Sequence, residues 1–357
     1  MVEIENTFNR DIETINRIIF SILDSDNILS IYLYGGYGRG EGSWVLENKN
    51  GKVTAKPYND YDITLIVKKK LPNEKLRKVE SELKKHLEVK WIDLSQCRIL
   101  NLKLFKPTIK NYDFKYASKW IYGDENILNN IPEIDSKSIT LKDVETLYIT
   151  RIWTLIGSFP QTGLKKMSRD EEMFFRNQMA KSILAIVDSI LVLNHKYDAS
   201  YKKRVEIVQS QTDDKELLKL SKWALEEKLF PKSEGMSTNE ISELYKIVNT
   251  LFFKYFYSTL SIYYGKDIDC PENIDNCITY SPMNFVKRKI KQFVFNDERA
   301  TLNTHLSIIQ GYLAYYYFDM NEEHEYKIRK LMEEKFNFFS NDLDEIRLKV
   351  AELRAEL

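Results

Sequence analysis

Ile31-Tyr32-Leu33-Tyr34-Gly35-Gly36-Tyr37-Gly38-Arg39-Gly40-Glu41-Gly42 is an apolar run that breaks into glycines. Asn59-Asp60-Tyr61-Asp62-Ile63-Thr64-Leu65-Ile66-Val67 is an acidic pair leading into a second apolar run. Ile28–Tyr34 reads as a buried strand, Gly36–Gly42 as a short helix or tight turn, and Asp60–Val67 as the next core strand. Of the twelve glycines in the chain, four lie within residues 35–40 and Gly42 is a fifth, so the run is read as one backbone feature. Glycines opening off a strand let backbone N–H groups approach an anion closely, because no Cβ intervenes. Strand side chains alternate, which places Asp60 and Asp62 on one face and Tyr61 and Ile63 on the other. Two carboxylates on one face beside a backbone phosphate cradle are what a nucleotide held through magnesium requires.

Working outward, Ile4, Phe8, Ile12, Ile15, Ile18, Ile19 and Ile22 recur at helical spacing and predict one amphipathic helix that ends near Asp24-Ser25-Asp26-Asn27. Asn48-Lys49-Asn50-Gly51 is a turn signal inside residues 44–58, so a hairpin is expected before the acidic strand. Lys68-Lys69-Lys70 reads as a solvated strand end, and Glu74–His86 as a surface helix with Leu76, Val79 and Leu83 turned inward. Val89–Ser95 predicts a third strand with Trp91, Asp93 and Ser95 on one face. A carboxylate at mid-strand is costly to bury unless it binds something, which makes Asp93 the third candidate acid. Between Gln96 and Asp124 a connecting segment with one further short strand or helix is expected.

Pro132, Ser136, Ser138 and Thr140 mark a boundary, and from Leu141 the pattern is helical almost throughout. Leu141, Val144, Leu147, Tyr148, Ile152 and Leu155 form one stripe; Phe175, Met179, Ile183, Ile186, Val187 and Ile190 form another. Later stripes run through 217–229, 241–264, 285–293, 302–318 and 326–338, and a last helix carries Leu343, Ile346, Val350 and Leu353. The expected fold is α+β: a small mixed β-sheet domain over residues 1–135, followed by an all-α helical bundle over residues 136–357 that binds the acceptor. Arg151, Lys181, Asp188 and Arg204 are charges within apolar stretches and candidates for an acceptor-facing wall, across a cleft from the sheet. His195 reads as a helix-end residue.

The glycine run followed by Asp-x-Asp at a strand start resembles the DNA polymerase β nucleotidyltransferase superfamily, over about residues 28–96. The glycines are closest to those of the bacterial uridylyltransferases of nitrogen control, and the later helical part is loosely similar to aminoglycoside nucleotidyltransferases. The resemblance implies that Gly35 and Gly36 meet a triphosphate, that Asp60 and Asp62 bind magnesium, and that Asp93 completes the site. It implies NMP transfer from an NTP, with ATP the expected one, to an acceptor hydroxyl, using two magnesium ions and releasing pyrophosphate. Asp93 either binds the second ion or accepts the hydroxyl proton, and Arg39 either holds a phosphate or pairs with Glu41. Three positions depart from the pattern: Gly36 stands where Ser is usual, Asn59 where a serine commonly precedes the first acid, and the interval from Gly36 to Asp60 is long enough to need the hairpin.

Lys+Arg and Asp+Glu both number 53, so no global basic field argues for long nucleic acid or an anionic membrane. Cys97, Cys270 and Cys277 are too sparse for a disulfide framework and lack zinc-ligand spacing. With no signal peptide and no long apolar span, a cytoplasmic protein is expected. The acceptor is a small molecule, a protein or RNA. Two other functions fit the same residues: a non-catalytic nucleotide-binding regulator or antitoxin-like module, and an enzyme that modifies RNA ends.

Overall fold

The computed structural model describes residues 2–49, 52–87, 91–159, 167–232, 235–270, 308–313 and 322–356, with a few single positions between them. The chain falls into two compact units, Met1–Thr140 with Ile190–Glu234, and Leu141–Ser189 with Gly235–Leu357. The boundary expected at residues 135 and 136 puts every later helix in one unit; the structure groups Ile190–Glu234 with the sheet instead.

The first unit is built on four strands, β1 (Ile28–Tyr34), β4 (Tyr61–Val67), β5 (Ile92–Arg98) and β6 (Lys119–Gly123), ordered β5-β4-β1-β6. β1 pairs antiparallel with β4 and β6, and β4 pairs parallel with β5, so the sheet is mixed as the sequence predicts. A separate hairpin of β2 (Trp44–Lys49) and β3 (Lys52–Pro57) fills the interval before the acidic strand. The expected third strand begins at Ile92 rather than Val89.

Alternation then sorts the side chains. Ile31, Leu33, Tyr61, Ile63, Leu65 and Val67 point to one face, where helices α1 (Val2–Ile22) and α3 (Asn73–His86) bury them with Ile15, Ile19, Val79 and Leu83. Tyr32 and Ile66 point to the other face, into a smaller core with Leu102, Phe114, Ile127 and Ile131. On that second face the cross-strand rows are Ser30–Ile66–Cys97, Tyr32–Thr64–Ser95 and Tyr34–Asp62–Asp93. The face therefore grades from apolar to acidic as β1 approaches the glycines. The middle row is closed by a 2.7 Å hydrogen bond between the Thr64 and Ser95 hydroxyls.

The second unit is helical among its described residues. The stripe of α6 (Leu141–Ser158) buries Val144, Tyr148, Ile152 and Leu155, and Tyr148 packs its ring on Phe252 and Phe256 of the helix Thr238–Tyr264. That helix opens with a capping box between Ser237 and Glu240 and stops at Gly265, whose φ of +63° suits a residue without Cβ. α7 (Arg169–Leu193) buries Phe175, Met179, Ile183 and Ile186, and Leu343, Ile346 and Val350 of the helix Leu343–Glu356 are buried as the seam predicted. The stripe expected over 285–293, most of that over 302–318, and Cys277 lie outside the described residues. Among the described residues no helix is long and apolar enough to cross a membrane.

Two tyrosines on the core side of the sheet give this fold an alkaline limit. Burial, then Asp11, raises Tyr61 well above the ordinary 10.0, and its hydroxyl donates to Asp11 Oδ2 at 2.8 Å. Burial likewise holds Tyr37 above its ordinary value. A folded-state value above the unfolded one means that the stabilisation is complete below pH 10.0 and is lost as pH rises beyond it, because the unfolded chain releases those protons first. Denaturant melts between pH 8 and 11.5 should show stability falling above about pH 10, with a shallower fall in Tyr61→Phe; equal slopes would contradict the burial of this phenol.

Candidate active site

Tyr34, Asp62 and Asp93 occupy one row across three adjacent strands, with Tyr34 opposite Asp62 and Asp62 opposite Asp93. The Tyr34 hydroxyl donates to Asp93 Oδ2 at 2.9 Å. Burial and then the negative charges of Asp62 and Asp93 hold the Tyr34 phenol in its protonated form well beyond the ordinary range. The phenol is thus held as a proton donor to Asp93. Asp93 is exposed and Asp62 half-buried, while Tyr34 packs on Phe114 at the edge of the smaller core.

The chain leaves this row directly into the glycines. Gly35 has a φ of +62°, and a Cβ built on it would lie 1.9 Å from Asp62 Oδ2, so the carboxylate rests against the glycine backbone. Gly35–Gly38 then form a single helical turn, α2. A Cβ on Gly36 would lie 3.0 Å from Lys228 Nζ, and one on Gly38 would lie 2.4 Å from the Leu33 carbonyl oxygen.

Buried charges from residues 190–234 hold the turn. The Lys228 ammonium, itself only 3% exposed, donates to the Glu41 carbonyl at 2.7 Å and to Ser43 Oγ at 3.2 Å. The Glu41 carboxylate caps α8 (Tyr201–Val208), accepting from the Tyr201 and Lys202 amides and the Ser200 hydroxyl at 2.7–3.1 Å. Arg39 donates through Nε to the Gly35 carbonyl at 2.9 Å and through Nη1 to Asp113 at 3.1 Å. Burial alone would lower the Arg39 guanidinium, but Asp113 together with Tyr201 and Tyr197 keeps it above its ordinary value. Arg204 reaches both Asp113 oxygens at 3.0 and 3.1 Å and lies 4.3 Å over the Tyr197 ring.

Of the six residues singled out from sequence, Gly35, Asp62 and Asp93 come together, and Gly36 follows in the same turn. Asp60 precedes β4 by one residue, and the described residues hold no group of three or more His, Cys, Asp or Glu side chains that could hold a metal ion. Arg39 pairs with Asp113 rather than with Glu41. Arg204 is engaged in the same buried network, Asp188 is buried along α7, and Arg151 and Lys181 are half-buried in the second unit. His195 follows the end of α7 in the left-handed region, donating its amide to the Val192 carbonyl at 3.1 Å, which suits a helix-end residue. Sequence reading missed Tyr34, Asp113 and Lys228. The signal for Tyr34 was its place at the end of the strand that runs into the glycines; no spacing links Asp113 to Arg204, 91 residues away.

Gly35 and Gly40 separate two effects. Both have positive φ, at +62° and +73°, but a Cβ on Gly40 would meet nothing within 4 Å. In urea melts Gly40→Ala should cost about 1 kcal/mol from φ alone, whereas Gly35→Ala should cost roughly 2–4 kcal/mol because the Asp62 carboxylate must also move. Equal losses would remove Asp62 from the turn.

No protein-family model matches the sequence, and no curated protein matches it. Among solved structures, the chain is similar to the spectinomycin adenyltransferase AAD(9) from Enterococcus faecialis, solved with ATP and spectinomycin: 14% sequence identity, 68% of this chain and 98% of that chain covered, TM-score 0.41. A likeness at that score and identity assigns neither a family nor an activity to this chain.

Proposed function

We propose that this protein is a metal-dependent nucleotidyltransferase that moves an NMP from an NTP, with ATP the first to test, to a hydroxyl of an acceptor and releases pyrophosphate. The observation that carries the reading is the contact between a glycine turn and a pair of facing carboxylates: Gly35 lies against Asp62, and Asp62 lies opposite Asp93 on parallel strands. An anion held at a glycine turn and a cation held by neighbouring acids together describe a metal-bound polyphosphate. Magnesium is commonly held by one or two carboxylates with substrate phosphates and water completing its shell, so the Asp62–Asp93 pair fits it without a third acid gathered in advance, and Asp60 is the nearest addition by sequence. Bound there, magnesium would neutralise phosphate charge and lower the pKa of the attacking hydroxyl.

The chain's own groups have definable parts in such a reaction. The amides opening α2 at Gly35 and Gly36 would face the phosphates of the leaving pyrophosphate, where no Cβ keeps them at a distance. Tyr34, protonated at any working pH, would fix the rotamer of Asp93 by its hydrogen bond. Asp93, exposed at the rim, is placed to receive the proton of an incoming hydroxyl or to serve as a ligand. Arg39 would support the turn from behind, with its Nε on the Gly35 carbonyl and its Nη1 on Asp113.

The test pairs thermal melts with pyrophosphate release, the latter in the presence of a cell extract as the source of acceptor hydroxyls, for wild type and Asp62→Ala, each with and without magnesium and each NTP. Wild type should show a magnesium-dependent rise in Tm with the preferred NTP, and pyrophosphate release should fall to background in the variant. The unliganded variant should melt at the wild-type temperature or slightly above, because removing one of two facing carboxylates relieves like-charge repulsion. A magnesium-dependent ligand shift that survives intact in Asp62→Ala overturns the assignment. Binding without pyrophosphate release from any NTP identifies a nucleotide-binding regulator instead.

A further inference from the structure

A second cavity, of about 370 Å³, opens on the first unit at the far end of the glycine turn. None of Tyr34, Asp60, Asp62 or Asp93 lines it. Its floor is aromatic: Tyr37 and Trp44 meet edge to face with ring centroids 5.4 Å apart, and Phe8 lies 6.4 Å from each. This floor is set in advance. The Tyr37 hydroxyl donates to the Ser43 carbonyl at 2.6 Å and accepts from the Tyr58 amide at 3.1 Å, and Gly42 lies against its ring. Phe230 forms part of the wall and is still 47% exposed. The mouth carries the exposed Lys119 and Lys202 against one acid, Glu5, for a net charge of +1 among the lining residues. Lys119 Nζ stands 4.6 Å over the Phe8 ring, so its ammonium is already drawn over the aromatic floor.

We propose that this cavity is a ligand site separate from the acidic row, and that it takes a small monoanion built on a flat apolar ring system. The ring would lie on the Phe8, Tyr37 and Trp44 surface in the offset or edge-to-face arrangements that aromatic groups prefer. The acid would sit between Lys119 and Lys202, where hydrogen bonds from ammonium groups are charge-assisted. The volume lies within the range that encloses small molecules, and a floor already held by hydrogen bonds adds little ordering cost to binding. A cationic ligand of the same shape would meet a mouth of its own sign. An uncharged ring would leave both lysines without a part. Gly40 and Gly42 form one side of the cavity, so an occupant rests on the turn that also carries Gly35.

The probe is 2-naphthoate, titrated by calorimetry into the full chain at low salt, with 2-naphthylmethylamine as the cation of the same ring. Naphthoate should bind saturably and at least about tenfold more tightly than the amine. Lys119→Glu combined with Lys202→Glu should weaken naphthoate by about tenfold or more and strengthen the amine. Ile4→Trp, which fills the cavity from α1, should abolish both while the melting curve stays that of wild type; should that variant unfold, Phe230→Asp on the exposed wall should weaken naphthoate alone. The proposal is overturned if the two probes bind equally, if the paired lysine change leaves naphthoate affinity unaltered, or if binding survives in a folded Ile4→Trp. Displacement of naphthoate by ATP with magnesium overturns its separateness from the nucleotide site.

Discussion

The glycines of the turn have no side chains with which to hold themselves, and the first unit is arranged around bracing them with Arg39 and Glu41 of the same run and with Lys228, Asp113 and Arg204 from outside it. Lys228 reaches into the turn to bind the Glu41 carbonyl, and Glu41 in turn caps the helix that carries Arg204. Arg204 and Arg39 share Asp113, and Arg39 returns to the Gly35 carbonyl. The chain of contacts closes on itself. Every charged member has a partner of opposite sign or a backbone carbonyl or amide dipole, which is the condition under which buried charge is tolerated. Removing Asp113 alone would leave two arginines, 7% and 1% exposed in their side chains, without a carboxylate between them. That dependence explains why Ile190–Glu234 belongs with the sheet although it follows two helical segments of the other unit.

The sheet contributes a gradient. Its α1 side is apolar from Ile28 to Val67, while its other side changes from Ile66 through Thr64 to Asp62 along a single strand. A strand can change character in this way only on the face where its neighbours change with it, and β5 does so through Cys97, Ser95 and Asp93. The acids therefore emerge at the rim where the chain turns, and Tyr34, at the β1 end of the row, donates a hydrogen bond to Asp93.

Much of this was legible in the sequence because it is local. The helical period of residues 4–22, the strand before the glycines, the hairpin around Asn48 and the alternation of Asp62 with Ile63 each rest on a few neighbouring residues. The segment that braces the turn was not legible. Lys228 lies 187 residues from Glu41, and neither residue type nor spacing distinguishes it from the solvated lysines around it. Arg39 was open to two readings, a phosphate contact or a surface pair with Glu41, yet its side chain is 7% exposed and paired with Asp113. Alternation along residues 89–95 already sets Asp93 on the face opposite Ile92 and Leu94, and the structure buries those two and leaves the carboxylate exposed.

The same geometry separates what the fold requires from what it does not. Gly35 is needed because Asp62 lies on it and its φ is +62°, Gly36 because Lys228 stands 3.0 Å from where a Cβ would be, and Gly38 because the Leu33 carbonyl would collide with a side chain. The glycine run is thus explained by packing before any phosphate is invoked, so the glycines by themselves are weak evidence for a nucleotide. Asp93 is different in kind. It is exposed, it stands in a strand, where aspartate is disfavoured, and it faces a second carboxylate one strand away. Beyond the hydrogen bond from Tyr34, packing gives no reason for that choice, and the cation proposed above would supply one.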